Sequence, residues 1–456
     1  LRNAQARRNI FPGIPPHPVF RKLAMANAGP EAKAAAGPGP HSECTPLKGR
    51  GSDEDYGGPI HCEMRRLWAI SFPMVLSSIS GYIMSLSSLV ILGMFAGPHD
   101  LAGASLGTTF SNVCGCSMLV GLSEAIDTLC SQAFGAGRFR TMGWILQRGL
   151  LLLMLASTAA AILFWHSANL LLFFGQDPAL AHHAGIYVRY QIPGIYGYAV
   201  CMALQRFLSA QGIARPLFWV SAGALPFHVV TTWVLVHPLH LGCMGAAIGW
   251  SLSFCCRALV MTMYTWHLEK GKCEEQRCCI QFSMKQATRD WSRLLAVSLP
   301  AYAMLATEWW TFEILTMLSG LLPNPETQVI ANTICSNVIG FMFMFHLGIS
   351  VAVCVRVGAA LGAMRTDCVK RTIASSIAIC LLQWAVVGGI FMTPPVRKHL
   401  SLLFAPPSSG NPAQSGEIQQ LVSLCIVYVV IQQFFDGLKE VGESLFWQLY
   451  KHTHCI

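Results

Sequence analysis

From residue 66 onward, long apolar stretches alternate with short polar ones. Ten apolar stretches are readable, at about 67–96, 101–133, 142–174, 180–211, 216–237, 243–267, 291–322, 326–358, 369–394 and 417–448. A helix needs roughly 20 apolar residues to cross a bilayer, and each stretch meets or exceeds that length. The excess predicts tilted helices that continue past the hydrocarbon layer. Pro73, Pro193, Pro226 and Pro300 lie inside these stretches. They predict kinks, tolerated where neighbouring helices satisfy the freed carbonyls. The pattern predicts an all-α, polytopic membrane protein.

The connecting segments alternate in charge. Arg65 and Arg66 precede the first stretch. Arg138 and Arg140 follow the second, Arg215 the fourth, and Lys270, Lys272, Arg277, Lys285 and Arg289 the sixth. Arg365, Lys370 and Arg371 follow the eighth and Lys451 the tenth, whereas segments 97–100, 167–179, 237–242 and 323–326 carry no Lys or Arg. Arg397 and Lys398 are the exception. The basic side is cytoplasmic in most membrane proteins, so the N-terminus is expected in the cytosol.

An internal repeat organises the chain. Ser71-Phe72-Pro73 recurs as Ser298-Leu299-Pro300, and Gly121-Leu122-Ser123 as Gly348-Ile349-Ser350, both 227 residues on. Phe134-Gly135-Ala136 recurs as Leu361-Gly362-Ala363 at the same offset, and Ser111-Asn112-Val113 as Ser336-Asn337-Val338 at 225. The unit is six helices. An even number makes the two halves enter from the same side, as parallel repeats with a site between them. The expected division is a disordered tail at 1–62, a first lobe at 63–270, a cytoplasmic linker at 271–290 and a second lobe at 291–456. The second lobe holds four helices, so by its own symmetry the chain is expected to be truncated. The tail, rich in Ala, Gly, Pro and Arg, shows no apolar periodicity. Its Arg2, Arg7, Arg8 and Arg21 are compatible with a targeting peptide.

Composition agrees with this reading. Of 456 residues, 53% are hydrophobic and 12% charged, with a mean hydropathy of +0.48. Soluble domains carry about 25% charge. The 18 cysteines are scattered through apolar stretches and read as small hydrophobes. Cys273, Cys278 and Cys279 cluster in a basic segment, but no second C-x-x-C completes a metal pattern.

The chemistry concentrates in the seventh stretch, where Glu308 and Glu313 sit in an apolar run. A carboxylate at that depth normally faces a protein interior or a water-filled cavity. Desolvation disfavours its charged form, so Glu308 is expected to take up and release a proton. That exchange would change the relative energy of two packings of the lobes. Trp309 and Trp310 flank it and offer faces for flat or cationic organic molecules. Glu313 is about 140° around the helix from Glu308, so the two are not expected to pair on one surface. Glu124 and Asp127 share a helix face and read as a structural or gating salt bridge, with Arg356 in a matching role in the other half. Asn112, Gln205 and Gln211 are candidates to line the cavity. His346 reads as a core histidine or, alternatively, a proton-relay partner. Pro73 and Pro300 are candidate structural kinks. Lys439, Glu440 and Glu443 read as the cytoplasmic end of the tenth helix.

Several ordered motifs bear a resemblance. They include the run from Asp127 to Ala136, Gln147-Arg148, Gly175-Gln176-Asp177-Pro178, Gln205-Arg206-Phe207 through Gln211, Glu308-Trp309-Trp310 with Glu313, residues 319–325, Arg356-Val357-Gly358 and Asp436. Over residues 65–436 the chain resembles the multidrug and toxin extrusion (MATE) family in its plant and algal branch. The resemblance implies a two-lobed exporter of organic compounds driven by protons or sodium. It also implies acidic positions at Glu313 and Asp436, with Asp436 the electrostatic partner of Glu308. The chain departs from the family at Ala359-Ala360, at Glu124 and after Asp436.

The implied partners are a small organic substrate, cationic or neutral, and the lipid bilayer, with H+ or Na+ as coupling ion, no cofactor and no nucleic acid. A monomer in the vacuolar or plasma membrane is expected, with the plastid as an alternative. Three other readings compete: a membrane enzyme, a lipid flippase of related architecture and an inactive truncated family member. The enzyme finds no support, because no His-Glu-x-x-His, paired Asp motif or nucleophile elbow is present. His182-His183 is the only local cluster. A flippase predicts a basic cavity, whereas these candidates are acidic.

Overall fold

The computed structural model describes residues 59–278, 283–319, 325–397 and 412–454. The tail before residue 59 and the motif at 320–324 lie outside them. Fourteen of the described helices matter below. α1 is Ile60–Phe95, α2 Pro98–Ser111, α3 Ser117–Gly135, α4 Phe139–Trp165, α5 Ser167–Phe173, α6 Pro178–Tyr190, α7 Ile192–Ala210, α8 Arg215–Val236 and α9 Gly242–Lys270. A single turn, α10, spans Met284–Ala287, followed by α11 Trp291–Ser319, α12 Pro325–Gly362, α13 Thr366–Met392 and α14 Pro412–His454.

Among the described residues, eight helical segments are long and apolar enough to cross a membrane. α7 and α11 fall outside that set, although both were expected spans. The reason is chemical: α7 carries Gln205 and Arg206, and α11 carries Glu308 and Glu313, and all four face an internal cavity. The fourth apolar stretch is two helices, broken at the buried Gln191, because Pro193 lacks an N–H and starts a new helix readily. The second stretch is continuous from α2 to α3 through a π-turn at Asn112–Cys116. Large apolar side chains such as Trp68, Phe72, Ile162, Leu259 and Leu382 stand on the outside, as a lipid-facing surface requires.

The expected linker at 271–290 is structured in its described part. Cys278 N–H donates to Glu269 Oε2 at 2.8 Å, and Arg148 Nε donates to Gln286 O at 3.0 Å. Trp291 Nε1 closes onto Ala287 O at 2.7 Å. The segment is thereby tied to α4 and α9.

The repeat is visible in contacts. In α1, Ser71 Oγ donates to Leu67 O at 2.6 Å, two residues before Pro73. In α11, Ser298 Oγ donates to Leu294 O at 3.0 Å, two residues before Pro300. Such back-bonding bends helices, so both prolines sit at matched bends. α11 packs on α3 at Gly121, where a Cβ would stand 2.6 Å from Tyr302 Cα. α1 packs on α12 at Gly348, where a Cβ would stand 2.7 Å from Val75 Cα. Val75 and Tyr302 are themselves 227 residues apart. Further along, Gly135 meets Ala359 and Gly362 meets Gln132, again one pair read twice at that offset. Reciprocal contacts of this kind are what a two-fold axis between halves produces. The Ser-Asn-Val match at 225 falls two residues out of this register. Missing side chains let the backbones approach, and this seam joins the two halves.

Candidate functional site

A cavity of about 470 Å3 lies between the halves, lined by α1, α3, α7, α9, α11, α12 and α14. That volume suits a drug-sized molecule. Its lining stops at Thr128 on α3 and at Cys354 on α12. Just past these residues Ser131 meets Gly358, and the Gly135–Ala359 and Gly362–Gln132 contacts follow. Gln448 of α14 closes the same level. Its amide donates to Ser131 Oγ at 3.0 Å and to Cys354 O at 3.1 Å, while Gln132 Nε2 donates to Gln448 Oε1 at 2.9 Å. The cavity is sealed at the end that carries the basic segments.

Six carboxylates line the cavity, those of Glu124, Asp127, Glu308, Glu313, Glu440 and Glu443, together with Arg206 and Arg257. Five of them form two groups, and Glu313 stands apart from both. On the first half, Arg206 pairs with Glu124 and, at 3.3 Å, with Asp127. Asp127 is fully buried, and Ser209 Oγ lies 3.5 Å from its Oδ1. Spacing of one helix turn places both acids toward α7, where one guanidinium reaches both. Arg257 Nη2 donates to Gln205 Oε1 at 3.2 Å.

On the second half, Lys439 of α14 pairs with Glu308 of α11, and stands 3.6 Å from Glu440 and 4.0 Å from Glu443. Oxygens of Glu308, Glu440 and Glu443 all lie within 4.8 Å of one another. Three carboxylates share one ammonium, so the cluster has an excess of negative charge when all are ionised.

The sequence expectations fare unevenly. Lys439, Glu440 and Glu443 do not mark a helix end: α14 continues to His454, and Glu440 and Glu443 line the cavity. Asp436 is not bonded to Glu308, although the two carboxyls and Lys439 feel one another's charge. It is absent from the lining and accepts from Gln433 Nε2 at 2.9 Å; the partner of Glu308 is Lys439. Glu313 lines the same cavity as Glu308, because the lining takes a broad stripe of α11 that also holds Met304, Leu305, Trp309 and Phe312. Trp309 lines it; Trp310, one residue or about 100° on, is 44% exposed on the outer surface. Gln205 and Asn112 line the cavity, but Gln211 does not: its Oε1 accepts from Lys272 Nζ at 2.6 Å. His346 is buried in the core, packed on Gly437, and does not reach the cavity.

Arg356 does not mirror the Asp127 site. It makes a bidentate pair with Glu63, Nε to Oε1 at 2.9 Å and Nη2 to Oε2 at 2.7 Å, and Thr372 Oγ1 donates to Glu63 Oε1 at 2.9 Å. Glu63 was overlooked in the sequence because it borders the tail. The counterpart of Asp127 at the 227-residue offset is Cys354.

The MatE family model matches residues 73–234 and 300–446. Protein DETOXIFICATION 16 of Arabidopsis thaliana is 33% identical over 72% of this chain and 66% of its own length. Protein DETOXIFICATION 1 of the same plant is 30% identical over 86% of this chain and 80% of its own. The crystal structure of the eukaryotic MATE transporter AtDTX14 superposes with a TM-score of 0.78 at 27% identity, covering 86% of this chain and 84% of that one. An outward-facing multidrug resistance MATE family transporter shares the fold at 17% identity, with a TM-score of 0.73 over 90% and 88% of the two chains. With this family model, these relatives and a helical bundle halved around a cavity, the chain belongs to the MATE family of membrane transporters, in its plant-type branch.

Proposed function

We propose that the protein is a secondary antiporter that exports organic compounds, xenobiotics among them, in exchange for protons, with sodium as the competing ion. The observation that carries this reading is the Glu308–Lys439–Glu440–Glu443 cluster facing the cavity. A bound proton or a cationic substrate each offsets the same negative excess, so each weakens the need for the other. That competition is the requirement for exchange: a ligand shifts a conformational equilibrium only by its differential affinity for the two states.

Six carboxylates against Arg206, Arg257 and Lys439 favour a cationic or neutral substrate over an anionic one. Trp309 adds an aromatic face to the same wall, suited to cations and flat rings. This balance also argues against a flippase for anionic lipids. With the basic segments on the cytoplasmic side, the seam at Gly135 and Gly362 closes the cytosolic face, and the protein stands in an outward-facing state. The cycle then alternates between opening this seam and closing the opposite end.

The test is flux in proteoliposomes across an imposed pH step. Proton-driven uptake of a fluorescent organic cation is expected, and Glu308→Gln should abolish its dependence on the pH step while the protein remains folded. Unchanged proton-driven flux in Glu308→Gln removes Glu308 from the coupling role. Dependence on a sodium gradient alone changes the ion.

A further inference from the structure

Away from the cavity, three helices of the first half bring Asp100, His183 and Cys243 together. Asp100 lies in the first turn of α2, His183 in α6 and Cys243 in the first turn of α9. His183 Nδ1 is 2.9 Å from Asp100 Oδ1 and 4.0 Å from Cys243 Sγ. One donor atom from each of the three lies within 4.8 Å of the others. Around a tetrahedral zinc ion with bonds of about 2.0–2.3 Å, neighbouring donors stand about 3.2–3.7 Å apart. The observed separations bracket that range, so closure on a metal requires only small side-chain shifts.

The helices are built to meet here. Gly242 has φ +52, and a Cβ at that position would stand 2.9 Å from Asp100 Cγ; the absent side chain admits the carboxylate. The side chains of His183 and Asp100 are 32% and 25% exposed, whereas Cys243 is buried. Two of the three donors are therefore open to water, and the imidazole of His99 lies beside that of His183, with centroids 6.3 Å apart. Segments 97–100 and 237–242 contain no Lys or Arg to compete for the carboxylate.

We propose that Asp100, His183 and Cys243 form a binding site for a divalent transition-metal ion of the zinc type, stapling α2, α6 and α9 at the end of the first half opposite the basic segments. A thiolate with imidazole selects such ions over magnesium and calcium, which prefer all-oxygen sites. Binding moves the Nδ1 proton of neutral His183 to Nε2 and releases the Cys243 thiol proton to water. The dication with one thiolate, one carboxylate and one neutral imidazole is then electrically neutral. That balance suits a half-buried position.

The experiment uses the full chain in detergent, stripped with chelator and titrated with Co2+ and then Zn2+. One equivalent of Co2+ should produce a thiolate-to-cobalt charge-transfer band that Zn2+ displaces, and Zn2+ should raise the unfolding midpoint. The band should vanish in Cys243→Ser and in His183→Ala, and persist in the double variant Cys273→Ser/Cys278→Ser, which removes the basic-segment thiols. Asp100→Asn should weaken binding by about tenfold or more. The absence of the band in the wild type overturns the proposal, whatever the variants do. So does a band that survives Cys243→Ser or depends on Cys273 and Cys278.

Discussion

Gly135 and Ala359 touch where the cavity closes, and 227 residues separate each from its counterpart in the reciprocal pair, Gly362 and Gln132. No side chain separates the backbones at either glycine. Overpacking a tight contact costs about 1–3 kcal/mol, and about 1.4 kcal/mol is a factor of ten in an equilibrium. Gly362→Leu is therefore expected to disfavour the sealed state by roughly tenfold or more. In vesicles this should appear as reduced export per inserted protein. A cysteine placed by Ser131→Cys should become labelled by impermeant thiol reagents from the basic-segment side. Normal export with no labelling would contradict the seam's role.

Arg206 joins Glu124 and Asp127, and Asp127 has no exposed surface. Removing one partner of a buried pair leaves an uncompensated charge, at about 3–5 kcal/mol. Arg206→Met should lower the thermal unfolding midpoint sharply. Glu124→Gln, at the wetter side of the triad, should lower it much less. Equal midpoints for the two variants would show that the triad is not a stabilising unit.

Lys439 and Glu308 invite a double-mutant cycle. Lys439→Met alone leaves three carboxylates without their ammonium and should depress flux strongly. Adding Glu308→Gln removes one of the three charges and should restore folding stability in part, but not pH-driven exchange. Additive effects on the unfolding midpoint would show that the two residues do not interact.

Trp309 faces the cavity and Trp310 faces outward. A desolvated cation–π contact is worth about 2 kcal/mol or more, against about 0.5–1 when exposed. Trp309→Ala should raise the KM for an aromatic cation by about tenfold or more. Trp310→Ala should leave KM within about twofold. The reverse order would place the substrate elsewhere.

Much of the architecture was legible because hydrophobic runs and loop charge report directly on the bilayer. The 227-residue offset gave the parallel halves, and the structure shows the same offset in contacts such as Gly121–Tyr302 and Gly348–Val75. The site was legible in part. Glu308 stood out as a lone acid in an apolar run, but Lys439, Glu440 and Glu443 looked like a helix terminus. Charge density along one strand of sequence cannot distinguish an interfacial end from a wall of a water-filled cavity. Only the packing of α14 against α12 and α13, which turns Glu440 and Glu443 to the cavity, decides between them. The same holds for Trp309 and Trp310, which differ by one residue in sequence and by inside versus outside in space. Pairings such as Arg206 with Asp127, and Asp100 with His183, join residues about 80 positions apart, beyond the reach of any local motif.

The Glu63–Arg356 clasp has a mechanical consequence. It fastens the opening turn of α1 to α12, and through Thr372 to α13, so the two halves are buttoned together where the bundle begins. Any swing that parts them there must unbutton two charges and let water in before either is solvated. Such a latch should give the swing a threshold: the sealed form lingers, then yields abruptly. Glu63→Gln should shorten that dwell time in single-molecule distance traces, and an unaltered dwell would mean that the latch lies elsewhere.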